Sequence, residues 1–328
     1  MNMQPTWQPA SGSGAALIHE LSLTLYIGCA LIFVFVMVLL LRAVFSAPRP
    51  IRARRWLIGG GLAFPGIVLS ALLVYSLAVS GALANYNGQG VFRFLLDCVS
   101  DSSRALFTTV ARPLRIEVTG RQWWWQVRYI EDDGEFELAN ELRLPVGRTV
   151  DLVLVAGDVI HSFWVPALAG KVDMIPGRTN RLRLKSDVPG VFRGNCAEYC
   201  GGQHALMGLL VIVEPEEDFA HWRERQAQPA PPPADDFLAL GREAFLRADC
   251  GDCHTVRGTG AAGTSGPDLT HVGSREMLGA AVLDNHIGTL GGWIAGTQDQ
   301  KPGSLMPDTR SLSGVELRAL SAWLESLE

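Results

Sequence analysis

Acidic residues are missing from a long stretch of this 328-residue chain: none occurs between Glu20 and Asp97. Charged residues make up 19% of the whole, below the usual quarter, and hydrophobic residues 48%. The acid-free stretch therefore excludes an ordinary soluble domain in that region. No Lys or Arg precedes Arg42, which argues against the basic start of a cleaved signal peptide. There is no internal repeat, so a solenoid is excluded. Cysteine is scarce. Four of the six fall in two tight clusters, Cys196 with Cys200 and Cys250 with Cys253, unlike the spread framework of a small disulfide scaffold. A net charge of −5 offers no basic surface for nucleic acid.

Two uncharged runs fill the acid-free stretch, Leu21 to Leu41 and Leu57 to Ala84. Each meets the roughly 20 apolar residues that a membrane helix needs. Gly59, Gly60, Gly61 and Pro65 are tolerated in such a helix, where neighbours satisfy the freed backbone groups. Arg49, Arg52, Arg54 and Arg55 lie between the runs, which places that connection on the cytoplasmic side by the positive-inside rule. Both ends of the hairpin then face outward, in a bacterium into the periplasm. His19, Glu20 and Cys29 read as structural. Val91 to Val110 fits an amphipathic helix at the membrane surface, without an assigned function.

From Leu114 to Glu214 the pattern turns to short alternating strands such as Leu114–Val118 and Val150–Leu154, with turn signals at Pro145-Val146-Gly147 and Val188-Pro189-Gly190. This predicts an antiparallel sandwich of about 100 residues. A proline cluster at Pro229 and Pro231–Pro233 reads as a semi-rigid spacer. Beyond it, helices are expected from Asp236 to Ala248 and from Ser313 to Leu327, the second with Ser313 as cap. The segment from Asp235 onward holds 13 acidic and 7 basic residues, an acidic module that suits a basic protein partner. The expected division is 1–112 for the hairpin (helices about 21–45 and 57–84) and its connecting segment, 113–222 for the sandwich, 223–234 for the linker and 235–328 for the last domain.

The segment Cys196-Ala-Glu-Tyr-Cys200-Gly-Gly-Gln-His204-Ala-Leu-Met207 places two thiols, an imidazole and a thioether within one loop. Thiolate and imidazole donors together suit copper or zinc. His161, just after a strand-like run, supplies a second imidazole. Two thiolates bridging two coppers, each with one His, would use all these ligands. A disulfide leaves His204 and Met207 unexplained, and zinc rarely takes a thioether. Trp123, Trp124 and Trp125 fall on an expected strand, so that Trp123 and Trp125 share one face and Trp124 points away.

This loop, His161-Ser-Phe-Trp-Val-Pro, Gly120-Arg-Gln-Trp-Trp-Trp125 and Lys171-Val-Asp-Met-Ile-Pro-Gly-Arg178 resemble the binuclear copper (CuA) subunit II family of cytochrome c oxidases over residues 15–222. The resemblance implies that Cys196 and Cys200 bridge two coppers, that His161 and His204 bind one copper each, and that Met207 is a weak axial ligand to one. It further implies that the Glu198 carbonyl binds the other copper while the Glu198 side chain helps hold magnesium against oxidase subunit I. Trp123 becomes the electron-entry aromatic. Many members carry a Glu near the start of the second membrane helix for proton entry, whereas Arg52 to Pro65 holds no acid here.

Cys250-Gly-Asp-Cys253-His254 is the c-type haem attachment motif: two thiols for the haem vinyls and His254 for the iron. Candidates for the sixth ligand are Met277, His271, His286 and Met306. Lys301-Pro-Gly-Ser-Leu-Met306-Pro resembles the axial-methionine loop of class I cytochromes c, as Gly266-Pro-Asp-Leu269 resembles their loop beside the haem, and Met306 is favoured. A Met ligand raises the reduction potential, which suits a donor to copper. The fused arrangement resembles the caa-type haem–copper oxidases. It implies a multidomain membrane protein with a two-helix transmembrane hairpin, a cupredoxin-like antiparallel β-sandwich and an all-α cytochrome c domain. It implies partners in subunit I, subunit III, a c-type donor and the lipid of a bacterial inner membrane, and reduction of oxygen coupled to proton translocation. The copper subunit of a nitric oxide reductase and a membrane-tethered redox carrier remain alternatives. Nitrous oxide reductase is soluble, and quinol oxidase subunits have lost these copper ligands.

Overall fold

The computed structural model describes residues 10–47, 52–86, 114–131 and 134–328. The amphipathic helix expected at Val91–Val110 lies outside the described residues, as does Cys98. The helical hairpin forms one compact unit, and the remainder of the chain, with the residues before the first helix, forms another.

In the hairpin, α1 runs Ser13–Phe45, 33 residues, or about 50 Å at 1.5 Å per residue. That exceeds the roughly 30 Å hydrocarbon core of a bilayer. The helix begins two turns ahead of the uncharged run, because Ala15 to Glu20 offers no breaker to stop it. The second span comprises α2 (Ala53–Ile58), a π-helical stretch at Gly59–Ala63 and α3 (Phe64–Tyr86). Pro65 has no N–H to give the carbonyl four residues back, at Gly61, and the wider turn falls at that point. Phe35 and Phe64 meet at 6.4 Å between ring centroids. Leu31, Phe33, Ile67 and Leu69 are each at least 64% exposed. Apolar surface this continuous is stable in lipid, not in water.

The second unit opens on ten strands in two sheets. The strands are β1 (Leu114–Arg121), β2 (Trp124–Glu131), β3 (Gly134–Ala139), β4 (Glu141–Pro145), β5 (Val150–Ala156), β6 (His161–Trp164), β7 (Val172–Met174), β8 (Thr179–Leu184), β9 (Gly190–Cys196) and β10 (Gly208–Glu214). Their orders are β3-β2-β1-β5-β8 and β4-β10-β9-β6-β7. Pairing is mostly antiparallel, with one parallel pair in each sheet, β1 with β5 and β4 with β10. Alternate residues Leu114, Ile116, Val118 and Val150, Leu152, Leu154 turn inward, as a half-buried strand requires. Tyr129 on β2 stitches the two sheets together: its hydroxyl donates to Arg143 O and accepts from Arg143 N–H on β4, both at 2.8 Å.

Helix α4 (Glu216–Gln226) runs from the end of the expected sandwich into the start of the expected linker and lays Trp222 against Tyr129 and Phe136. The proline segment does not hold the following domain at a distance. Arg257 donates to Gln226 O and Ala227 O, His271 to Gln228 O, and Ala230 N–H to Arg257 O. These bonds fasten the segment to the domain that follows.

That domain holds α5 (Asp236–Arg247), the short hairpin β11 (Met277–Leu278) and β12 (Leu283–Asp284), and then α6 (Ile287–Ala295), α7 (Thr297–Gln300) and α8 (Gly314–Glu325). Asp235 caps α5 through Leu238 N–H. Ser313 and Glu316 form a reciprocal capping box on α8. Helices α5 and α8 cross where Gly241 has no side chain: a Cβ there would stand 2.1 Å from Ala319 O. Gly241→Ala must therefore push the helices apart. The expected loss is about 1–3 kcal/mol, typical of overpacking, read as a lower unfolding midpoint of this domain in the full chain.

Candidate metal and haem sites

The ends of β6 and β9 and the start of β10 are adjacent in one sheet, and they deliver the donors. His161 opens β6 and Cys196 closes β9, with Phe163 paired to Cys196 in register. The intervening loop is closed by Cys196 N–H to Met207 O and Ala197 N–H to Ser162 O, each 2.9 Å. His161, Cys196, Cys200 and Met207 are buried.

Donor atoms converge. Cys196 Sγ lies 3.8 Å from Cys200 Sγ and 3.8 Å from His161 Nδ1. Cys200 Sγ lies 3.6 Å from His204 Nδ1 and 3.8 Å from Met207 Sδ. The Glu198 carbonyl is 3.2 Å from Cys196 Sγ. First-row metals bond these atoms at about 2.0–2.3 Å, which separates neighbouring donors by roughly 3.3–3.8 Å. The five side chains therefore fit a soft-metal centre as they stand. Both cysteines are free thiols. Cys200 pulls the Cys196 pKa down by hydrogen bonding, and the same contact with burial pushes Cys200 up. Burial alone would lower His161, but Cys196 and Asp158 together hold it above its ordinary value.

Three features hold this cluster. Asp158 Oδ1 lies 2.7 Å from His161 Nε2, which turns Nδ1 toward the sulfurs. Gly120 on β1 leaves space for the imidazole, since a Cβ there would stand 2.9 Å from the His161 ring. Cys200 O accepts from Gln122 Nε2 at 2.8 Å and from Trp123 Nε1 at 3.0 Å. That last pair corrects an expectation: Trp123 sits in the turn between β1 and β2, not on a strand face shared with Trp125. The pull of Cys200 O draws its indole over the loop, while Trp125 is fully buried against Phe163 and His161. The Glu198 carboxylate is outside the cluster, half exposed and 3.9 Å from Lys171 Nζ.

In the helical domain, Cys250 and Met306 pack on one apolar cluster that also contains Phe245, Leu320 and Trp323. Cys253 is exposed. His254 Nδ1 donates to Pro267 O at 2.7 Å, so its Nε2 is left to ligate. Burial holds the ring below its ordinary pKa, in the neutral form that a metal requires. The buried Trp323 Nε1 has no hydrogen-bond partner among the described residues. These residues fit a covalent haem. His271 is spent on Gln228 O and Glu328 O, and His286 caps α6.

Sequence reasoning overlooked Asp158, Gln122 and Lys301. Asp158 had a signal, an acid three residues before a candidate ligand. Lys301 stood inside a recognised motif, but its burial and its partners come from distant segments. Its ammonium donates to Trp123 O, Leu206 O and Gly279 O at 2.7–3.1 Å. Burial pushes it down to about 8, opposed by Cys200, so it keeps its proton at neutral pH.

Soft donors packed out of water, a haem-attachment motif and two apolar helices long enough to cross a membrane define the class: a membrane-anchored copper and haem protein. The family described as "Cytochrome C oxidase subunit II, periplasmic domain" matches residues 132–214, and the cytochrome c family matches residues 238–328. Cytochrome c oxidase subunit 2 of Bacillus sp. (strain PS3) is 31% identical over 271 residues, 80% of this chain and 72% of that protein. The subunit 2 of Alkalihalophilus pseudofirmus is 42% identical over 213 residues, 65% of this chain. The chain spans 61% of the length of that relative. The crystal structure of the periplasmic domain of subunit II of cytochrome oxidase (CoxB) of Bradyrhizobium japonicum shares 36% identity, covering 34% of this chain and 92% of that one, with a TM-score of 0.33. This chain belongs to the cytochrome c oxidase subunit 2 family.

Without Asp158 the His161 ring is free to turn. Asp158→Ala is expected to weaken copper retention about 10- to 100-fold, measured as copper per chain across a chelator series.

Proposed function

We propose that the chain is the electron-entry subunit of a respiratory cytochrome c oxidase. Cys250 and Cys253 would hold a haem covalently, with His254 and Met306 as the ligands to its iron, and that group would supply the site at which an external cytochrome c or another c-type donor delivers electrons. His161, Cys196, the Glu198 carbonyl, Cys200, His204 and Met207 would hold the copper pair, with Trp123 on the way to it. The metals supply one-electron chemistry when bound. The chain's own residues hold the donors, exclude water from them and fix the distance between the two centres. Electrons pass on to the haem–copper site of subunit I, where oxygen is reduced to water with proton translocation. Subunit III belongs to the same assembly.

The observation that carries this reading is the double hold on Cys200 O by Gln122 and Trp123. It joins an aromatic ring directly to the backbone of a bridging cysteine. The engagement of His271 and His286 elsewhere supports Met306 as the sixth ligand. The exposed Glu198 carboxylate fits a magnesium ion at the subunit I contact. The arginine-rich connection supports placement in the bacterial inner membrane with both cofactor domains on the periplasmic side. With no acid from Arg52 to Pro65, the subunit I partner supplies the proton entry point.

The test is oxygen uptake by the purified complex with reduced cytochrome c as donor. Cys200→Ser is expected to lose the near-infrared copper band and turnover while its haem c is still reduced; full turnover in that variant would overturn the relay. Met306→His is expected to lower the haem c potential by on the order of 0.1–0.3 V, seen in a redox titration followed at the haem α band.

A further inference from the structure

Several contacts from the helical domain meet the copper domain at one place. Gln203 Nε2, in the copper loop, donates to Pro302 O at 2.7 Å. The Gly208 N–H, one residue past Met207, donates to Ala280 O at 3.0 Å. A Cβ on Gly303 would stand 3.8 Å from the Trp123 ring. At their centre is Lys301, buried at 4% exposure, five residues before Met306. Its three acceptors come from three segments: the β1–β2 turn at Trp123, the copper loop at Leu206 and the β11–β12 turn at Gly279. A buried ammonium is retained only when its donors are satisfied, and here a single side chain achieves this by drawing those three backbones together. The Pro302-Gly303 turn then lies over the indole, so Trp123 faces the chain's own haem domain.

We infer that Lys301 is a positioning residue: it clamps the loop bearing Met306 onto the copper loop and Trp123, and so sets the rate of internal electron transfer between the two centres. The inference rests on the relay proposed above. The step it governs moves one electron. The ferrous haem is oxidised to ferric, the oxidised copper pair is reduced by one electron, and no bond or proton changes.

Two readouts separate the clamp from the relay. Amide hydrogen exchange at Gly208, in the detergent-solubilised full chain, reports the domain contact itself. In the wild type this amide is expected to be protected. Lys301→Met is expected to speed its exchange about tenfold or more at equal cofactor content. The second readout is the transfer of an electron from haem to copper after a ruthenium photoreductant reduces the haem in the purified complex. Lys301→Met is expected to slow this transfer at least about tenfold with both optical spectra unchanged, since small displacements of reacting partners cost rates of that order. Wild-type exchange at Gly208 as fast as an exposed amide overturns the clamp without any variant. So does unchanged exchange in Lys301→Met. Faster exchange with an unchanged transfer rate overturns the positioning role and leaves a contact only. Protected exchange in a wild type that passes no electron to copper overturns the relay, and with it the role of Lys301 in transfer.

Discussion

The backbone N–H of Cys196 donates to Met207 O, and that of Ala197 to Ser162 O; the site depends on this pair of bonds. They tie a twelve-residue loop, Cys196 to Met207, to the ends of three neighbouring strands. Without them Cys200, His204 and Met207 would ride on a free segment and pay its full conformational entropy on closing around a metal. With them the donors stand at ligand spacing before any metal is considered. A frame built on a β-sheet also resists movement when the charge on a metal changes. A redox centre needs that resistance, because each ligand that shifts on reduction raises the barrier to the next electron.

The same frame explains how a second domain can be held against the first. Glu141 on β4 is buried, paired with Arg143, and accepts from the Glu276 N–H of the helical domain at 3.0 Å. Burial draws the Arg143 pKa down, but Glu141 and Glu214 outweigh it, and the guanidinium lies 5.3 Å over the Trp222 ring. Buried ionic groups of this kind add little net stability, since desolvation consumes most of the attraction. Their value lies in direction. Glu141 and Lys301 each have few acceptors or donors within reach, and those partners exist in one arrangement of the two domains.

Much of this was legible from the residues. The uncharged runs on either side of the arginine cluster give α1 and the second span, and Ser313 with Glu316 announces α8. The Cys-x3-Cys-x3-His-x2-Met spacing names four of the donors that meet. Other features were hidden for physical reasons. The parallel pairs β1–β5 and β4–β10 depend on how the chain crosses between sheets, which alternation along a strand does not encode. Trp123 lies in a turn and donates to a carbonyl 77 residues away, a contact that alternation along a strand does not encode. The proline segment looked like a spacer because its composition is extended. Its fastening by Arg257 and His271 is a tertiary matter.

The charge of the helical domain and its contact with the copper domain use different physics. Its sequence carries 13 acids against 7 bases, a net charge of the kind that favours a basic partner and acts less at high salt. Its contact with the copper domain instead consists of one buried ammonium donating to three carbonyls, amide-to-carbonyl bonds and the Pro302-Gly303 turn on an indole. Buried hydrogen bonds are little screened by salt. An encounter that must begin and end many times each second is suited to long-range charge, which speeds association without holding on. A step between two centres in one chain gains nothing from release, and short-range bonds that hold one distance serve it better. On the proposed relay, the division of charge along the sequence follows from which of the two contacts has to come apart.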